Sequence, residues 1–390
     1  MSSALSGLKV LDLSMNLPGP YMTWLLALMG AEVVKVENPQ GGDYARLLGG
    51  KPDSPLFGAV NRNKKSVALN LKDPKGKKIF VDLLDLYDVL VEGFRPGTLE
   101  RLGLGFQTTS ARNPRLIHVS ITGYGHDGPY RLRAGHDVNY LSLAGILGIT
   151  GTRDGRPVVP GIQIADVAGG SLLALSGLLA AIIQREKTGR GQFVDAAMFD
   201  GALSMATMIF GGIEAGLERP APGRMLLNGR FPCYGIYETK DGKYMSLGAL
   251  EQKFWQNFCA AVNRPDLVSG QFGGEEVRAE TERVFISRTR DEWYELMKDA
   301  DACCEPVLTM EEAMESPLTV SRNMVRRSLG NRRFMASPVN LSASPSLDDQ
   351  PAPALGQHSR EILTQLELSP DEFDSLVREG VVAVHEPSSP

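Results

Sequence analysis

The chain has 390 residues, 43% of them hydrophobic and 22% charged, with a formal net charge of -5. That composition excludes a disordered chain and leaves ample apolar material for a core. The acidic balance, with a pI of about 5.7, argues against nucleic acid as a partner, and a mean hydropathy of -0.12 gives no expectation of a membrane span.

The first third alternates strand and helix signals. Residues 9–13 (KVLDL) read as a short apolar strand, Pro18-Gly19-Pro20 as a break, residues 21–29 as a helix closed by Gly30, and residues 32–36 as the next strand. Strand, turn, helix and strand within so few residues make a βαβ unit, which favours a parallel sheet. Residues 74–86 read as a helix with Asp73 as N-cap and Pro74 at its first position. Residues 88–91 and 115–121 are further strands. A long apolar helix is expected from Asp166, as N-cap, to the basic stretch 187–191. Residues 192–196 then form a strand and 199–210 a helix.

Residues 211–230 shift to Gly, Pro and Arg and read as a linker. Two strands around Lys240-Asp241-Gly242-Lys243 give a hairpin signal, and helices follow to about residue 315. The expected organisation is a large doubly wound α/β domain over 1–210, completed by 325–390, with a smaller α/β domain over 231–324.

The four cysteines form no CxxC pair, so reduced thiols and a cytoplasmic location are expected. The five histidines show no ligand spacing, and no metal site is expected. The loop after the first strand lacks the glycine fingerprint of a dinucleotide site, which argues against NAD although Glu37 stands at a ribose-binding position. By its surroundings alone, Glu37 reads as a solvated strand end. Basic residues gather in 61–65 (NRNKK) and around Arg95 and Arg101. From charge alone they read as solvated surface, and as flanks of Pro/Gly-fixed loops they are candidate phosphate contacts.

Taken singly, the chemical candidates are ordinary. His136 and Asp137 open a helix, Asp166 is an N-cap, and Glu251 is a first-turn acid. The stretches LKVLDLSMNLPGP, GAEVVKVENP, VLVEGFRPGTLERLGLG, AGHDVNY and DACCEPVLTMEEA change that reading. In this order and spacing the chain resembles the family III CoA transferases (the CaiB/BaiF superfamily) and, among them, the α-methylacyl-CoA racemase branch. Transferases of this family use one aspartate as nucleophile, and Asp166 occupies its position. Racemases add a histidine and a glutamate, matched here by His136 in GHDVNY and Glu251 in GALEQKF. These lie 30 residues before and 85 residues after Asp166. Gln252 departs from the usual proline after that glutamate.

The resemblance implies a Rossmann-like large domain, an interlocked ring-shaped homodimer, and an acyl-CoA thioester as substrate with no other cofactor, no membrane and no nucleic acid. His136 with Glu251 would serve one face of the α-carbon and Asp166 the other, with Asp137 nearby. Arg62, Arg95 and Arg101 are the implied phosphate contacts and Leu69 a contact of adenine or pantetheine. Gly123, Tyr124 and Gly125 would shape the pantetheine channel.

Overall fold

The computed structural model describes residues 3–49, 54–327, 332–347 and 349–385. The chain divides into two compact units. One comprises Met1–Ala144, Ile162–Met205 and Asn323–Pro390, the other Gly145–Gly161 and Ala206–Arg322.

The first unit is built on β1 (Lys9–Asp12), β2 (Glu32–Glu37), β3 (Lys65–Leu69), β4 (Val89–Glu92), β5 (Ile117–Thr122), β6 (Phe193–Ala197) and the last strand, β12 (Val382–Ala383). Their order is β12-β3-β2-β1-β4-β5-β6. Strands β1 to β6 run parallel, and β12 is antiparallel to β3. This 3-2-1-4-5-6 order is the doubly wound Rossmann order, with a switch point between β1 and β4. Every residue of β4 and β5 is buried, as expected of central strands covered on both faces of a parallel sheet. Leu11, Val34, Val67, Phe80 and Leu90 share one core with Ile362, Leu363 and Phe373 from the C-terminal helices.

The second unit holds an antiparallel sheet of β7 (Tyr234–Glu238), β8 (Tyr244–Gly248) and β9 (Cys304–Pro306). Gly242 supplies the positive φ of its hairpin turn. Tyr237, Phe258 and Phe285 stack at ring separations of 4.7 and 5.4 Å. The hairpin of β10 (Val325–Arg327) and β11 (Arg333–Met335) belongs to the first unit.

Several expectations are corrected. The first helix, Pro18–Leu28, begins at the prolines read as a break, because proline fits a first turn whose N–H groups have no helical partner. Residues 199–210 form two helices, Met198–Ser204 and Thr207–Glu214. The stretch 211–230 is packed within the second unit: Arg153 donates to the carbonyls of Gly223 and Gly229, and Asn228 to Ile149 and Ala221. Residues 167–184 carry no charge, and the helix Ala165–Thr188 is long and apolar enough to cross a membrane by length and composition. In this fold it packs against β5 and β6. Ala174, Leu178 and Ala181 are buried, and Arg185 near its end pairs with Asp88 at 3.0 Å.

The largest departure concerns the charged residues around the first βα loop. Asp12 and Lys64 are fully buried and pair at 3.1 Å. Lys35, also buried, pairs with Asp43 at 2.9 Å and donates to the Ser14 carbonyl at 2.6 Å. Glu37 is no solvated strand end: it pairs with Arg46 at 2.7 Å and accepts from Ser66 at 2.8 Å. Burial alone would raise the Asp12 carboxyl, but Lys64, Lys35 and hydrogen bonds from Ser14 and Thr23 outweigh it and pull it down to about 2. Replacing Asp12 with alanine leaves the buried Lys64 ammonium without its carboxylate partner. Asp12→Ala is therefore expected to cost about 3–5 kcal/mol of unfolding free energy, read from the urea midpoint of the purified variant.

Candidate active site

In an open α/β sheet, ligands sit beyond the carboxyl ends of the strands at the switch point. A cleft of about 170 Å³ opens there, lined by Ser14, Asn38, Leu69, Asn70, Lys72 and Phe94 among others. Of the CoA contacts implied by the sequence, Leu69 lines it. Arg95 and Arg101 are solvent-exposed, and Arg101 donates to the Thr98 hydroxyl at 3.0 Å. Arg62 is used otherwise. It is 7% exposed, pairs with Asp349 at 3.2 Å, donates to the Met335 carbonyl at 2.8 Å and stacks on Phe334. With Lys64 buried as well, Arg62 and Lys64 belong to the interior, while Lys65 is partly exposed and pairs with Glu361 at 2.7 Å. Asn38, Asn70, Lys72 and Phe94 were missed by charge-based reading; their position just after a strand is the signal that finds them.

The carboxylates meet where three helices converge. His136 is the N-cap of the helix Asp137–Leu143 and is exposed. Its backbone N–H is accepted by the Asn139 side chain at 3.0 Å, and the Tyr140 hydroxyl donates to the Gly135 carbonyl at 2.6 Å. The ring of Tyr140 fills the space that a Cβ at Gly123 or Gly135 would need, at 2.7 Å from either. Tyr124 meets that ring edge-on at 5.1 Å. Gly125 has a φ of +83° and donates to the Thr122 hydroxyl at 2.9 Å. Gly123 and Tyr124 therefore frame the segment that carries His136, whereas Gly125 faces Ala197 and Asp195.

Asp166 is not an N-cap. The helix starts at Ala165, with Ile164 as N-cap, and Asp166 lies in a π-helical opening, Ala165–Leu172. Such wide turns are frequent at functional sites. Close crossing with the helix Met198–Ser204 holds this one: a Cβ at Gly201 would lie 2.1 Å from the Gly169 carbonyl oxygen. The Asp166 backbone N–H donates to Asp137 Oδ1 at 3.0 Å, which brings the two acids together. Burial first, and the neighbouring Asp137 charge second, push the Asp166 carboxyl up to about 7. A carboxyl so placed is present in both protonation states at neutral pH.

Glu251 belongs to the second unit. It is the exposed N-cap of the helix Gln252–Ala261, not a first-turn acid, and its carboxylate makes no cap hydrogen bond.

Comparison with known proteins shows the family. The profile of CoA-transferase family III matches residues 5–359. The human alpha-methylacyl-CoA racemase is 32% identical, over 97% of this chain and 97% of its own. The mouse succinyl-CoA:glutarate CoA-transferase is also 32% identical, over 98% of this chain and 91% of its own. A CaiB/BaiF family protein from Brucella suis superimposes with a TM-score of 0.82 at 27% identity, covering 94% of this chain and 100% of the other.

The raised Asp166 carboxyl has a thermodynamic consequence. Asp166 loses its proton at a higher pH in the folded than in the unfolded chain, so the stability it contributes is complete below about 4 and is lost as pH rises through about 7. Asp166→Asn is expected to be more stable than the parent at pH 8 by on the order of 2–4 kcal/mol, and no more stable near pH 4. Thermal unfolding of both proteins across that range checks the sign.

Proposed function

Because the chain belongs to CoA-transferase family III, we propose that it racemises 2-methylacyl-CoA thioesters by 1,1-proton transfer. The observation that carries this reading is the GHDVNY turn, which presents His136 next to Asp137, whose carboxylate accepts the Asp166 backbone N–H at 3.0 Å; burial raises that Asp166 carboxyl to about 7.

The α-proton beside a thioester is a very weak acid. Inverting that carbon needs a base on one face, an acid on the other and support for the enolate between them. In this proposal His136 serves one face, oriented by the partner subunit's Glu251 in an interlocked homodimer, and Asp166 serves the other. A base held in place contributes roughly 10²–10⁴-fold. Backbone N–H groups near Asp137 would receive the enolate oxygen. The CoA moiety would lie along the cleft at the β1/β4 switch point, with Leu69, Phe94 and Lys72 against it and Arg95 and Arg101 reaching its phosphates. No cofactor beyond the CoA of the substrate enters the scheme.

A second reading has its own support, since relatives of equal similarity carry transferase names. There the Asp166 carboxylate attacks the thioester carbonyl, forming a mixed anhydride and releasing the CoA thiolate. The thiolate then attacks the aspartyl carbonyl and expels the free acid, leaving an aspartyl-CoA thioester.

The two are separated by incubating one enantiomer of a 2-methylacyl-CoA in D₂O with no acceptor acid. Racemisation predicts α-deuterium uptake with loss of optical purity. Absence of exchange, with CoA transfer once a free acid is added, moves the assignment to the transferase. In the same assay His136→Ala is expected to lose at least ~10²-fold in racemisation. An unchanged rate in that variant removes His136 from the mechanism.

A further inference from the structure

Below the loop that carries Phe94 and Arg95 lies an acid the proposed proton transfer does not use. Glu92 ends β4 and is 3% exposed. Its Oε2 accepts the Phe94 N–H at 2.7 Å. The hydroxyl of Ser120, on the adjacent β5, bonds to the same carboxylate and stands 2.7 Å from His126 Nε2. Asp195 on β6 accepts the His126 backbone N–H at 3.0 Å. Glu92, Ser120 and His126 thus form a row across neighbouring strand ends, joining the loop after β4 to the one after β5.

This row keeps all its bonds in either direction. With Glu92 ionised, His126 Nε2–H donates to Ser120, which donates to Glu92. With Glu92 protonated, its O–H donates to Ser120, which donates to His126 Nε2 of the other tautomer. Among the described residues, the charged and titratable groups around Glu92 are Arg95, Glu100, His118 and His126, which line a small cavity with it, and Asp195, which faces it from β6. Burial, with a lesser contribution from His126, pushes His118 down to about 4, so it stays neutral near pH 7. Burial, opposed by the Ser120 and Phe94 hydrogen bonds and reinforced by Glu100 and Asp195, pushes Glu92 up to about 7.

We propose that Glu92 is a positioning residue for the CoA cleft, and that a CoA polyanion settling against Phe94 and Arg95 draws one proton onto the Glu92–Ser120–His126 row. This rests on the CoA-binding part of the reading above, and not on which reaction follows. Phe94, whose N–H Glu92 holds, lines the cleft itself. Bound phosphates add negative charge near the carboxyl and cover its loop. Both effects favour the protonated form, so by linkage that form binds CoA more tightly.

Calorimetric titration of free CoA into the wild type and Glu92→Gln tests this, at pH 6 and 8.5 and in buffers of different ionisation enthalpy. The wild type is expected to take up more protons than the variant. Its affinity should rise about three- to tenfold more than the variant's on going from pH 8.5 to 6. Identical proton uptake and pH dependence in the two proteins overturn the proposal. Ser120→Ala is the companion variant: it removes a bond that favours the ionised acid and should move the uptake to higher pH, and an unmoved profile also overturns it. A folded wild type that binds no CoA at all overturns the CoA reading instead.

Discussion

Burial of Asp12 against two lysines is the constraint on which the cleft at the β1/β4 switch point depends. Lys64, Asp12, Lys35 and Asp43 alternate in sign through the interior, and Glu37 with Arg46 continues the set beside them. An isolated charge at any of these positions would be prohibitive; as an alternating set, each meets an opposite charge and further hydrogen-bond partners. The members come from β1, β2, the approach to β3 and the turn after β2. Their mutual satisfaction fixes the loop from Ser14 to Gly19 at the carboxyl ends of those strands. That loop is one wall of the cleft, and it also receives the Ser171 hydroxyl at the Pro18 carbonyl, 2.6 Å away. The same Ser171 bonds back to the Asp166 carbonyl at 3.0 Å, so the charged set and the π turn are mechanically joined.

Around Asp166 and His136, geometry rests on the absence of side chains. Gly169 and Gly201 allow two helices to approach within backbone contact, and Gly123 and Gly135 leave room for the Tyr140 ring. The tolerance is small in both places, which holds the Asp166 backbone N–H on the Asp137 carboxylate while burial favours the protonated Asp166 carboxyl.

Much of this is legible in the chain itself. Strand β4 is buried throughout, and its Val89-Leu90-Val91 shows as an apolar run. His136, Asp137, Asp166 and Glu251 stand out once the surrounding motifs are read together. What stays hidden is the fate of polar residues whose partners are distant in sequence. Nothing in NRNKK distinguishes a solvated loop from an interior one, because the acid that receives Lys64 lies 52 residues earlier. Glu37 is hidden for the same reason, with Arg46 on the far side of a turn. Secondary structure near proline misleads too: Pro18 starts a helix and looks like an interruption. The π-helical opening at Asp166 has no local signature apart from Gly169 and Gly170, whose use becomes visible only when Gly201 is placed against them.

The antiparallel strand β12 carries an implication for biosynthesis. Val382 and Ala383 cover the outer edge of β3, and they leave the ribosome about 300 residues after β3 does. Until they emerge, β3 presents an unpaired edge, and the core around Phe80 and Leu83 lacks the helices that bring Ile362, Leu363 and Phe373 to it. The second unit, whose residues end at Arg322, is complete well before that point. A nascent chain therefore carries one finished unit and one open sheet for the time needed to add some 60 residues, several seconds at ordinary elongation rates of about 5–20 residues per second. An exposed edge over that interval is a site for pairing with other chains. A stop codon shortly before residue 382 would make this transient state permanent.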